Sequence, residues 1–111
     1  VWQGKQYEAL LCNVFEYFWS NGGEILKNGS VVIDSSENIQ ALGFMRNLIT
    51  KFKVTPPLVT TAIEESTRHI FGNGRALFMR NWPYALNIFQ KEGSQVRGKV
   101  GVTLLPAFAK G

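Results

Sequence analysis

Apolar side chains at Tyr7, Leu10, Leu11, Val14, Phe15 and Phe18 recur at the spacing of one helix face, and SNGGE at 20–24 cuts the run. Such a stripe predicts a helix over about 6–20 that buries one side against other elements. The same reading finds more helices. Asp34 followed by Glu37 resembles a capping box, and Ala41, Met45, Leu48 and Phe52 continue it as a stripe that TPP at 55–57 breaks. Thr61 and Glu64 repeat the box spacing, with Ile63, Thr67, Ile70 and Phe71 turned inward and GNG at 72–74 as the stop. Asn81 is a good N-cap and Pro83 fits a first helical turn, so a fourth helix runs from there to about Lys91. Three segments read as short strands: GSVVID (29–34), ALFMR (76–80) in a central position, and KVGVTLLP (99–106). About four helices and three short strands make the fold class α/β, helix-rich, within a single domain spanning 1–111.

Composition narrows the function. A chain that is 45% hydrophobic and 18% charged can bury a core. The net charge of +4 comes from lysines and arginines scattered singly, without the clustering that nucleic-acid binding uses, so no nucleic-acid partner is expected. Cys12, the only cysteine, excludes an internal disulfide and reads as a small hydrophobe beside Leu10, Leu11 and Val14. No stretch reaches the roughly 20 apolar residues of a membrane-spanning helix. The chain opens at Val1 and closes at Gly111 just after a strand-like segment, the pattern expected of a piece of something longer.

Catalytic chemistry finds little material. The lone histidine, His69, lies inside a predicted helix with Glu65 as its only carboxylate neighbour at helical spacing, which argues against nucleophilic catalysis. One His and one Cys far apart make no metal-ligand set, so neither metal nor cofactor is expected. GNG is too short for a phosphate loop and sits at a helix C-terminus, where the dipole repels anions. Glu8 and Glu16 are roughly 12 Å apart along one helix by the rise per residue, too far for a glycosidase pair.

Aromatic residues carry more information. Trp2, Tyr7, Trp82 and Tyr84 stand where elements begin, whereas most phenylalanines fall on the helical stripes. Trp82 and Tyr84 flank Pro83 in FMRNWPYALNIF (78–89), and successive residues of a first helical turn point in different directions, so the two rings are hard to bury together. Either they form a structural aromatic cluster, or they face a ligand. With Arg80 and Asn81 beside them they suit a sugar, whose C–H faces stack on aromatics and whose hydroxyls need planar donors and acceptors at the rim.

Four segments together, VWQGKQYEALLCNVFEYFWSNGGEIL (1–26), ENIQALGFMRNLITKF (37–52), FGNGRALFMRNWPYAL (71–86) and GKVGVTLLPAF (98–108), resemble the maltose/trehalose-type sugar-binding proteins of ABC importers. The NWPYA motif, preceded by F-x-x-G-x-A-x-F, is the specific part of the resemblance. It implies a periplasmic-binding-protein-like fold of two α/β lobes closing on a ligand, of which this chain is part of the C-terminal lobe. It also implies an α-linked disaccharide such as maltose or trehalose as ligand, no catalysis, a membrane permease as partner, and an extracytoplasmic location in the parent protein. By the same resemblance Trp82 and Tyr84 stack on the sugar, Tyr84 matching that position best. Gln3 and Tyr7 border the cleft, Arg80 contacts hydroxyls or holds the turn, and Asn81 is structural. Contacts from the N-terminal lobe and a Gly-Gly-Trp segment after the last strand have no counterpart here, so half a cleft is expected, binding weakly on its own. Apolar edges left open by such a cut predict a homodimer formed by exchange of a segment.

Overall fold

Helix α1 (Glu8–Ser20) ends at the predicted stop: Gly22 adopts a left-handed φ of 76°, and the amides of Gly22 and Gly23 bond back to the carbonyls of Trp19 and Phe18. The computed structural model describes residues 1–108. Their contacts resolve into two compact units, each assembled from separated stretches: residues 1–10 with 56–103, and residues 11–55 with the chain from Leu104 onward.

In the second of these units the chain leaving α1 forms a hairpin of β1 (Leu26–Lys27) and β2 (Ser30–Val31), paired antiparallel with Leu26 opposite Val31. Asn28 and Gly29 have φ of 51° and 81°, the two positive values that a tight two-residue hairpin turn requires. The strand predicted over 29–34 is therefore shorter, because its only partner in the hairpin is the two-residue β1, continued by a bond from the Val32 amide to Ile25.

Helix α2 (Ser36–Thr50) follows, and its cap corrects the Asp34–Glu37 box by one residue. Ser35 is the N-cap, its hydroxyl accepting from the Asn38 amide at 3.3 Å. Burial sets this register: the Asn38 side chain, 1% exposed, donates to the carbonyls of Glu24, Val32 and Ile33 and so ties the hairpin to the helix start. Ala41 and Met45 are buried below it, and Phe44 packs against Tyr17, Phe52 and Phe108 with ring centroids 5.1–6.3 Å apart.

The first unit begins with the start of the chain held against 3-10 helix Pro57–Thr61, where the Gly4 amide donates to Val59 and the Lys5 amide to Ala62. Helix α3 (Glu64–Gly72) then starts at Ile63 without any side-chain cap. The predicted Thr61–Glu64 box does not form because the Thr61 hydroxyl is used inside the 3-10 turn, donating to Leu58 at 3.0 Å. Of the residues placed inward, Thr67 is fully buried while Ile63 remains at the surface. Helix α4 (Tyr84–Phe89) is shorter than predicted, and Pro83, not Asn81, precedes it as the cap; Phe89 packs on Phe71 with centroids 5.2 Å apart.

Two predicted strands are absent as ladder strands among the described residues. The 76–80 segment pairs only with Val1, whose amino group donates to Phe78 at 2.7 Å and whose carbonyl accepts from the Arg80 amide at 3.0 Å. Leu77 and Phe78 are 90% and 83% exposed, so this segment is not central to any sheet described. Residues 99–106 likewise lack a pairing strand, and Val102 and Leu104 project outward. Apolar alternation states which residues suit a strand, but a strand exists only where a neighbour supplies the ladder bonds.

Candidate functional site

The first turn of α3 presents two adjacent carboxylates, and each holds the polar edge of an aromatic residue. Glu64 accepts from the Tyr7 hydroxyl at 2.6 Å on one oxygen and from the Trp82 indole N–H at 3.1 Å on the other. Glu65 accepts from the Tyr84 hydroxyl at 2.8 Å and from the guanidinium of Arg68, whose Nε lies at 2.9 Å. The Arg80 guanidinium stacks over the Trp82 ring, 4.0 Å from its centroid. Three aromatic rings from the chain start and from the entrance of α4 are thereby gathered around one helix turn.

Below them lies a buried polar layer that fixes the backbone. Thr67 accepts from the Gln3 amide at 2.8 Å and from the Asn81 amide at 3.2 Å, and donates to the Glu64 carbonyl at 2.9 Å. Gln3 also donates to the Arg80 carbonyl at 2.9 Å, and Asn81 to the Glu64 carbonyl at 3.1 Å while its own oxygen accepts from the Trp82 amide. These bonds hold residues 80–82 against α3, as satisfied buried polar groups must. Asn81 acts here as a strut and not as the cap of α4.

Electrostatics follow the hydrogen bonds. Burial alone would raise the Glu64 carboxyl, yet the bonds it receives from Tyr7, from its own backbone amide and from Trp82 outweigh it and the pKa falls below the usual carboxylate value. Glu65 drops to about 2, chiefly through Arg68 and then through Tyr84. Burial and the neighbouring carboxylates push the Tyr7 and Tyr84 phenols up, so both remain hydroxyl donors across the neutral range.

The sequence-derived candidates separate on this geometry. Trp82 and Tyr84 are each 39% exposed, so neither ring is sealed in the core. Tyr7 and Arg80 are half-buried beside them. Gln3 is 0% exposed and spends its amide on Thr67 and Arg80, so it supports the site from beneath without offering surface to a ligand. The two glutamates carry no signal of ring anchoring in the sequence, where spacing marks Glu64 as a cap and Glu65 only as a neighbour of His69. The Glu65–Arg68 pair has helical i,i+3 spacing and was legible, but the links to Trp82 and Tyr84 cross 18 and 19 residues and leave no local signal.

Other regions offer less. A hollow of about 200 Å³ beside the start of α2, lined by Gly23, Lys27, Val32 and Ser35 among others, has no aromatic wall. No group of three or more His, Cys, Asp or Glu side chains gathers around a common point among the described residues.

No family model matches the chain. It is 42% identical over 109 residues, 96% of its length, to a probable ABC transporter-binding protein of Deinococcus radiodurans. Its fold superposes on the maltose-bound structure of T. maritima MalE3 with a TM-score of 0.94 and 56% identity, again over 96% of this chain. The chain spans 26% and 28% of the length of these two relatives. Its four helices and two-stranded hairpin form a portion of the periplasmic-binding-protein fold. In sequence and in fold, then, this chain is a homologue of the binding proteins of ABC transporters.

Proposed function

We propose that the chain supplies one side of a carbohydrate-binding cleft, as part of the C-terminal lobe of a sugar receptor that serves an ABC importer. The observation that carries this reading is the pair of half-exposed rings, Trp82 and Tyr84, tethered by their polar edges to Glu64 and Glu65 so that ring surface stays open. A pyranose has apolar faces to lay on such rings. The maltose held by the T. maritima relative supports an α-linked disaccharide, maltose or trehalose, as the ligand class. Trp82 and Tyr84 are the stacking residues, with Tyr7 and Arg80 at the rim and Gln3 beneath as a support. The role is binding without catalysis, in a parent protein that works outside the cytoplasm with an opposing N-terminal lobe and a membrane permease as partners.

Half a cleft leaves one face of the ligand in water, so this chain alone binds maltose and trehalose no tighter than about the millimolar range. Calorimetry together with the fluorescence of Trp82 tests this. A micromolar constant overturns the half-cleft reading, and sugar that leaves Trp82 and Tyr84 undisturbed at saturating concentration overturns the sugar reading. The exposed apolar side chains of Leu77, Phe78 and Val102 also favour a homodimer of this chain by exchange of a segment. Light scattering that finds only monomer at tens of micromolar removes that part.

A further inference from the structure

We infer that Glu64 is the positioning residue of the aromatic platform: one carboxylate fixes the Trp82 indole and the Tyr7 phenol, 75 residues apart in sequence, in a single arrangement. The inference rests on the sugar-stacking role of Trp82 proposed above and deepens it.

Three features carry it. Glu64 opens α3 as the residue just after Ile63, and its side chain divides its two oxygens between Tyr7 and Trp82. Its backbone works on the same segment, because the Glu64 carbonyl accepts from Asn81, the neighbour of Trp82. One residue thus holds the 81–82 segment at both its main chain and its ring. Second, Trp82 is half-exposed, so water could serve its N–H; the indole N–H of Trp2 is buried and finds no partner. A bond from an exposed donor to a carboxylate therefore sets orientation more than it relieves burial. Third, Arg80 covers one face of the Trp82 ring, while the residue keeps 39% of its surface exposed. With the edge fixed by Glu64 and one face backed by Arg80, the ring has lost the freedom to swing, and a ligand that stacks on it pays less ordering entropy.

The three tryptophans give three indole N–H signals by NMR, which read the position of Trp82 directly whether or not sugar binds. In the full 111-residue chain, Glu64→Ala is expected to move the Trp82 indole signal upfield and to speed its exchange with solvent, and to weaken maltose binding about tenfold. Glu64→Gln keeps one acceptor and no charge, so it gives a smaller displacement and a loss of about threefold, a partial rescue that simple damage to the helix start would not produce. Tyr7→Phe leaves the Trp82 bond in place, and its indole signal stays within a small shift of the parent. If Glu64→Ala fails to fold, Glu64→Gln and Tyr7→Phe still decide the matter. An unchanged Trp82 signal in the Glu64 variants overturns the positioning role. A displaced signal in a protein whose Trp82 ignores maltose upholds the positioning role and overturns the sugar reading instead.

Discussion

Each unit is organised by one polar side chain, Asn38 in one and Glu64 in the other, and the two do opposite things with their surroundings. Asn38 is sealed, 1% exposed, and its amide donates to three backbone carbonyls, so what it holds is main chain and not ring surface. Glu64 is half-buried and accepts from the edges of two aromatic side chains, one of which, Trp82, keeps 39% of its surface in water. A hub that satisfies backbone makes a fold. A hub that orients rings and leaves their surfaces open makes a place for something to bind.

The difference is sharpest in what substitution would do. Asn38→Ala strands three carbonyls and empties a packed site, which predicts the largest loss of stability, about 3 kcal/mol, measurable by urea denaturation. The response of Trp82 to maltose should survive wherever the chain is still folded. A stability change below 1 kcal/mol (about the value of one ordinary hydrogen bond) would break the assignment of Asn38 as the hub of its unit.

Gln3 tests the border between the two roles, because it lies under the aromatic site yet resembles Asn38 in being sealed. Gln3→Ala is expected to cost about 2 kcal/mol, since Thr67 and the Arg80 carbonyl lose a buried donor. Because Gln3 also holds the Arg80 carbonyl, the folded variant should lose maltose affinity only as far as its Trp82 indole signal moves. Weakened binding in a folded variant whose Trp82 signal is unmoved would return Gln3 to the ligand-contacting set.

Tyr84 separates ring from hydroxyl. Tyr84→Ala removes the stacking surface and should weaken maltose binding about tenfold with little change in stability. Tyr84→Phe retains the ring and loses only the exposed bond to Glu65, so its affinity is expected to stay within about twofold. Equal losses in both variants would mean that the hydroxyl, through its bond to Glu65 or to the sugar, matters more than the ring face. Titration calorimetry of the pair decides.

Helices were the legible part of this sequence, because a 3.6-residue stripe and its stops are local signals: α1 ended at NGG and α3 at GNG as their residues require. Caps were read less well. Ser35 and Asp34 are equivalent on paper, and only the burial of Asn38 decides between them. Strands fared worst, since 76–80 and 99–106 have the right side chains but find no ladder partner among the described residues, and pairing is a property of two segments. The same division runs through the site. Trp82 and Tyr84 stood out by their place around Pro83, while Glu64 and Glu65 were invisible as ring anchors because their partners lie 18 and 19 residues away.

The smallest effect belongs to Glu65 and is read by acid. Its carboxyl falls from the ordinary value of 4.5 to about 2 in the folded chain, held down by Arg68 and by the Tyr84 hydroxyl. A depressed folded value means that its contribution is fully present above pH 4.5 and is lost progressively as the pH drops toward 2, when the carboxyl takes a proton and releases Arg68. Glu37 and Glu64 are lowered as well, so acid sensitivity of the whole chain does not single out Glu65. Glu65→Gln does: relative to the parent, its unfolding midpoint should decline less steeply across that window, while the two proteins differ only slightly at neutral pH because the Glu65 side of the pair is solvent-exposed and screened. The Tyr84 ring signals should shift over the same pH range in the parent and stay level in the variant. Parallel acid curves for the two proteins would show that Arg68 and Tyr84 are held in place by their packing, and that of the two neighbouring glutamates only Glu64 organises the rings.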